Sequence, residues 1–159
     1  MTSHHDKSMM HEALRLARIA ASLGEVPVGA VVYHTATGTP VAHAFNRRER
    51  DRDPAAHAEF LAVQRACRVI GDWRLNEYSI AITLEPCAMC AGMLVNARVG
   101  RVVFGALDPK AGAVRSLHHL LEDPRLNHRA EVIEGLGADE SAALLRSFFR
   151  SLRAQEPDA

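Results

Sequence analysis

The sequence predicts an α/β fold, a three-layer α/β/α sandwich built on a mixed five-stranded sheet. Segments with helical apolar spacing alternate with short β-branched runs in the order α-β-β-α-β-α-β-α-β-α. The first two β-like runs are separated by a turn, so they pair antiparallel. The last two are separated by about 25 residues, enough for a parallel crossover. The 159 residues are expected to form a single domain, ordered over about 8–153.

Residues 8–23 place Met10, Leu14, Ala17 and Ala21 at helical spacing, and Gly24 stops them. "VGAVVYH" (28–34) and "VAHAFN" (41–46) flank "TATGTP", a Gly/Pro turn, and read as a hairpin. The charged stretch "NRRERDRD" (46–53) is expected to be loop. Asp53-Pro54 is a good N-cap and first-turn pair, opening a helix through "AAHAEFLAVQRACRVIG" to Gly71. "SIAITL" (79–84) is short and apolar, a buried strand, while "CAMCAGMLVNA" (87–97) is a helix apolar nearly all round. "RVVFGA" (101–106) and "EVIEG" (131–135) are the last strands, with a short helix expected at 116–122 between them. The closing helix "ADESAALLRSFFRSLRA" presents Leu144, Leu145, Phe148 and Phe149, one phenylalanine toward the core and the other toward the site; residues 156–159 are expected to fray.

Composition excludes some functions. Apolar residues make up 48% and charged residues 24%, as in ordinary globular chains. No run reaches the 18 apolar residues of a membrane span, and the first residues lack the basic and apolar regions of a secretory signal. Net charge is zero, so a basic overall surface does not point to nucleic acid. The arginines are unevenly spread, however: "NRRERDRD" carries four, and Arg146, Arg150 and Arg153 share one helical face. Three cysteines argue against a disulfide framework and for a reducing compartment, so the cytoplasm is expected.

The chemistry gathers around "PCAMC" (86–90). Cys87 and Cys90 could be a redox pair, half of a structural zinc clip, or part of a catalytic metal site. No second C-x-x-C exists to complete a structural clip, and Cys67 stands alone in a predicted helix. "HAE" (57–59) offers the missing ligand, His57, with Glu59 two positions on. If both helices open at the same sheet edge, one imidazole nitrogen and two thiolates converge. That donor set suits zinc with its fourth position free for water, whose pKa falls from ~15.7 to ~7. Glu59 would then be the general base and acid. The joint occurrence of H-x-E and P-C-x-x-C favours the catalytic reading over the other two.

The pairing of H-x-E with P-C-x-x-C is the known signature of zinc-dependent nucleobase deaminases. Other stretches narrow it: "EVPVGAVV" (25–32), "FNR" (45–47), "DPAAHAE" (53–59), "ITLEPCAMCAG" (82–92), "RVVFGALDPKAGA" (101–113), "NHRAEVIEG" (127–135) and "LLRSFFRSLR" (144–153). Together they resemble the bacterial tRNA-specific adenosine deaminases, over about residues 8–153. The resemblance implies a cytidine deaminase-like fold, one Zn2+ per chain, a homodimer, and conversion of adenosine to inosine at the wobble position of a tRNA anticodon. It implies His57, Cys87 and Cys90 as metal ligands and Glu59 as the proton shuttle. It further implies substrate contacts from Val28, Asn46, Ala58, Leu84, Glu85 and Asp108, with Glu85 and Pro86 fixing the second metal loop. Arg47, Arg48, Lys110, Arg115, Arg146, Arg150 and Arg153 are the candidates for RNA phosphates. One departure is Arg115 in "GAVRS", a bulky cation where relatives carry a small residue. Two alternatives stay open at this point: deamination of a free base or nucleoside, and an inactive zinc-stabilised RNA-binding module.

Overall fold

The chain opens with helix α1 (His4–Ser22) in a computed structural model that describes residues 1–157. Part of the segment expected to fray, residues 158–159, lies outside the described residues. Helix α1 starts earlier than its apolar spacing suggested, because Ser3 and Asp6 cap it reciprocally: Asp6 N donates to Ser3 Oγ at 3.0 Å and Ser3 N to Asp6 Oδ2 at 2.7 Å. There follow β1 (Gly29–His34), β2 (Pro40–Phe45), α2 (Arg48–Asp51), α3 (Ala58–Ile70), β3 (Tyr78–Leu84), α4 (Ala88–Asn96) and β4 (Arg101–Ala106). A 3-10 turn (Leu120–Glu122), β5 (Glu131–Glu134) and α5 (Ala138–Gln155) complete the chain.

The sheet order is β2-β1-β3-β4-β5. The β1–β2 and β1–β3 pairs are antiparallel, while β3–β4 and β4–β5 are parallel, so the expected mixed five-stranded sheet is present. Alternate residues along each strand feed two apolar layers. Val31, Tyr33, Ala81 and Val103 meet α1, whereas Val32, Ile80, Ile82, Val102 and Phe104 join the core that contains α3 and α4. Each valine, isoleucine or phenylalanine among them contributes about 1.5–3 kcal/mol when fully buried. Helix α5 lies against β3, β4 and α1, which gives the third layer. Gly29 permits the close approach of α1, since a Cβ there would overlap the Ala13 carbonyl.

Three local expectations are corrected. Asp53 and Pro54 do not open α3; Asp53 Oδ1 accepts from Ala55 N at 2.8 Å, forming a turn, and the N-cap is His57. The charged loop contains a one-turn helix, α2, braced by Arg47 on Asp51 at 3.0 Å. The helix expected at 116–122 is reduced to the 3-10 turn: Leu117 N donates to Gly112 O at 2.9 Å and Leu120 N to Ala113 O at 3.0 Å, so these amides do not reach the carbonyls four residues back that an α-helix uses. The paired phenylalanines are corrected as well. Phe148 is half-buried, Phe149 is 40% exposed, and their rings meet edge to face at 5.3 Å.

One buried polar cluster ties the first helix to the sheet. Asp6 accepts from Tyr33 Oη at 2.6 Å and from Arg101 Nη2 at 2.5 Å. Side-chain exposure is only 2% for Asp6 and 12% for Arg101, so removing one partner strands the other. Burial raises the Asp6 pKa, but the bonds from Tyr33, Ser3 and Arg101 outweigh it and leave the carboxyl below its ordinary 3.8. Asp6→Asn is expected to cost about 2–4 kcal/mol at neutral pH, read as a lower urea midpoint with unchanged slope. Because the folded pKa is the depressed one, that margin is complete above the unfolded value and shrinks as pH falls through the folded one. Urea midpoints of both proteins should therefore approach one another as pH falls below the ordinary carboxylate range.

Candidate active site

Strand direction brings the candidate residues to one edge. The parallel strands β3 and β4 end there, and the antiparallel β1 begins there. Val28 precedes β1, Asn46 follows β2, Leu84 ends β3, and Asp108 lies just beyond β4. Ligand sites form at such strand ends because the connecting loops are free to converge over them.

Both metal-ligand segments then start helices. His57 is the N-cap of α3 and Cys87 the N-cap of α4, with Cys90 one turn into α4. Neither residue makes a side-chain cap hydrogen bond, and the two side chains face each other. His57 Nδ1 lies 3.6 Å from Cys87 Sγ and 3.5 Å from Cys90 Sγ. All three ligand atoms fall within 4.8 Å of one another. A tetrahedral zinc with Zn–S of about 2.3 Å and Zn–N of about 2.05 Å requires N···S separations of about 3.5 Å. The donor set and its spacing therefore fit zinc, and these residues could hold a metal ion. Hydrogen bonding from Cys90, then from His57, lowers the Cys87 thiol to about 4. Contact with Cys87, then burial and the neighbouring Glu59, raise the Cys90 thiol, and the Cys87 contact raises His57. A divalent cation held there would displace the remaining thiol and imidazole protons, since metal ligands must be deprotonated.

A cavity of about 210 Å³ opens beside this cluster. Val28, Asn46, Ala58, Leu84, Glu85 and Asp108, the six expected substrate contacts, all line it, together with His57, Cys87 and Glu59. Glu59 is 4% exposed, and burial pushes its carboxyl above the ordinary 4.5. Phe148 and Phe149 are absent from the lining, so neither faces the site.

Residues 4–153 match the MafB19-like deaminase family. The tRNA-specific adenosine deaminase of Bacillus subtilis (strain 168) is 45% identical over 97% of this chain and 94% of its own length. That of Haemophilus influenzae is 40% identical over 97% of this chain and 88% of its own. A solved structure from work on A-to-I editing by tRNA:A34 deaminases at the wobble position of transfer RNA superposes with a TM-score of 0.82. It is 40% identical, over 87% of this chain and 99% of its own. The chain belongs to the tRNA-specific adenosine deaminase family.

Within this deaminase fold, the loop after β4 is organised by one side chain. Glu85, only 2% exposed, accepts from the backbone N–H of Asp108 (3.0 Å), Val114 (3.1 Å), Arg115 (2.8 Å) and Ser116 (2.9 Å). It also accepts from Ser116 Oγ at 2.5 Å. Burial alone would raise its pKa, but Ser116 and these amides outweigh it and hold the carboxylate at about 2. Gly112 packs directly on the carboxylate; any Cβ there would overlap it. Glu85 thus lines the cavity and also holds Asp108 on its rim, where Asp108 Oδ1 in turn accepts from Ala111 N at 3.3 Å.

The arginine candidates divide. Arg48 lines the cavity and is exposed. Lys110, Arg146, Arg150 and Arg153 are exposed and carry no ion pair among the described residues. Arg115 differs: it reaches Glu122 at 2.7 Å and Glu134 at 3.2 Å, so the unusual cation is neutralised within the fold. Arg47 likewise pairs with Asp51. Sequence reasoning missed three lining residues or roles: Val26, Ala111, and Arg48 as part of the wall. Val26 and Ala111 sit in "EVPVG" and "DPKAGA", stretches quoted for the resemblance, but nothing in their small apolar side chains marks a wall.

Removing the Glu85 carboxylate leaves several buried donors unsatisfied. Glu85→Ala is expected to destabilise the fold by about 3–5 kcal/mol and to speed amide exchange at Val114, Arg115 and Ser116 ahead of the β3 core. Urea titration and hydrogen exchange check both effects.

Proposed function

We propose that this chain converts adenosine to inosine at the wobble position of a tRNA anticodon, with one zinc ion held by His57, Cys87 and Cys90. The observation that carries this reading is the pair of 3.5 and 3.6 Å N···S distances beside a buried glutamate in a base-sized cavity. The volume of about 210 Å³ lies below the roughly 300–1,000 Å³ of drug-sized sites, which suits one extruded base and excludes its stem. The 37–45% identity to relatives named as tRNA-specific adenosine deaminases favours adenosine in tRNA over a free base.

A zinc ion bound there supplies a water made acidic enough to attack near neutral pH. The chain's own groups do the rest. Glu59 accepts a proton from that water and delivers it to adenine N1 as the oxygen bonds to C6. Glu59 then takes the remaining hydroxyl proton and passes it to the amino group; the C6–N bond breaks and ammonia leaves. The atoms balance as adenosine plus water giving inosine plus ammonia. Its raised pKa suits a carboxyl that must both take and return a proton. Asn46 and Asp108 would hold the nucleotide at the rim, and Val28, Ala58 and Leu84 would form the apolar walls. A single-stranded loop keeps base extrusion to about a few kcal/mol.

Phosphate contacts would come from Arg48, Lys110 and the Arg146, Arg150, Arg153 face; among the described residues Arg48 has a long ion pair to its neighbour Glu49 at 3.8 Å, and the other four charges have no partner. A homodimer is supported by the α4 face, where exposed Met89 and Leu126 border an apolar hollow that also includes Phe60 and Met93. No described helix is long and apolar enough to cross a membrane. Three free cysteines, two of them the thiol ligands, suit the reducing cytoplasm.

The decisive assay offers the protein an anticodon stem–loop RNA alongside free adenosine, guanine and cytidine. Inosine at the wobble position of the RNA alone supports the reading, whereas conversion of a free base alone overturns it. Glu59→Gln should keep zinc and RNA binding while losing at least about 10³-fold in kcat; metal analysis and inosine mapping check this. Cys87→Ser is expected to lower zinc content well below one per chain and to reduce thermal stability, read by metal analysis and melting.

A further inference from the structure

The wall of the cavity across from the Glu85 loop is held by a second buried carboxylate, to which the chemistry above gives no part. Glu25, between α1 and β1, is fully buried. Its Oε1 accepts from Arg50 N at 2.6 Å and its Oε2 from Glu49 N at 3.2 Å. Those are orphan donors in the first turn of α2, whose N-cap residue, Arg47, makes no side-chain cap. A carboxylate distant in sequence therefore caps a helix of four residues, far too short to persist on its own.

What α2 carries explains why this matters. Residues 25–28 and 46–50 are laced together at the cavity edge. Asn46 N donates to Val28 O at 3.0 Å, Asn46 Nδ2 to Val26 O at 3.3 Å, and Arg48 N to Asn46 Oδ1 at 3.1 Å. Asn46 and Arg48 both line the cavity. Strand order puts this segment, after β2 and before β1, on one side of β3, and the Glu85 loop, after β4, on the other. The two rims of the cavity are thus each anchored through backbone N–H groups on a buried glutamate.

We infer that Glu25 is a positioning residue: by fixing α2 it orients Asn46 and Arg48 toward the base and governs how tightly substrate binds. This rests on the function proposed above. It touches neither the metal ligands nor Glu59, so it acts on affinity and leaves the chemical step alone.

Glu25→Gln keeps the shape but offers one acceptor and one NH2 group to two N–H donors. It should raise KM for the anticodon stem–loop about tenfold, the effect of one lost charge-assisted hydrogen bond. The kcat should stay within about twofold, with zinc still near one per chain. In an Asn46→Ala, Arg48→Ala background the same change should move KM by less than about twofold, because both residues it orients are gone. An unchanged KM, a full KM penalty in the background lacking both Asn46 and Arg48 side chains, or a loss confined to kcat would overturn the inference. Should Glu25→Gln not fold, amide exchange in the wild type decides: the Glu49 and Arg50 amides must exchange more slowly than exposed loop amides, and equal rates would refute the anchor. Failure of the wild type to make inosine would count against the proposed function and leave this exchange result standing, so the two are separable.

Discussion

An imidazole nitrogen held 3.5 and 3.6 Å from two sulfurs dictates where much of the molecule must go. His57 and Cys87 are N-caps, so α3 and α4 must begin at the same sheet edge and point away from it together. That requirement accounts for the β3–α4–β4 crossover, which returns the chain to a strand parallel to β3. It also accounts for the apolar character of α4, which is wedged beside α3 over the core while its first turn faces the site. Two helix N-termini then direct unpaired N–H groups and positive dipole ends at thiolates, which favours the charged form.

The remaining positions of the site come from loops, and loops need anchors. The chain supplies them from within. Glu85 gathers four backbone amides and a serine hydroxyl, and Glu25 gathers two amides. A buried carboxylate is unfavourable until its lone pairs are filled, so each loop is drawn to one arrangement. Gly112 shows how closely the loop fits its anchor, since no larger residue leaves room for the carboxylate.

Much of this was legible in the sequence, for identifiable reasons. Strand runs and the hairpin turn gave the sheet, and the separation of the last two strands gave their parallel pairing. His57, Glu59, Cys87 and Cys90 were legible because metal chemistry restricts both residue type and spacing. What escaped depends on tertiary hydrogen bonds. The helix read at 116–122 shrinks to a 3-10 turn because the amides of Leu117 and Leu120 go to Gly112 O and Ala113 O, carbonyls of the folded loop that are not four residues back. The α2 turn lies in a stretch whose charges read as loop, and its cap, Glu25, is more than twenty positions away. Arg115 read as a free cation because Glu122 and Glu134 meet it only once the fold is closed. By contrast the Ser3–Asp6 capping box was readable locally, and α1 could have been started there from the sequence alone.

Glu59 and Glu85 show how environment assigns roles to one residue type. Both are nearly buried, at 4% and 2% exposure, and both border the same cavity. Burial pushes each toward its neutral form. At Glu85 five donors reverse that push and hold the charge to about pH 2, so it stays an ionised anchor across any working pH. At Glu59 burial prevails and the pKa rises. A carboxyl that ionises too readily returns a proton slowly, and one that never ionises cannot take it. Divergent environments for paired carboxylates separate a structural charge from a proton carrier. The amide ladder around Glu85 is therefore what keeps the two acids from exchanging parts, and it does so without any change of side chain.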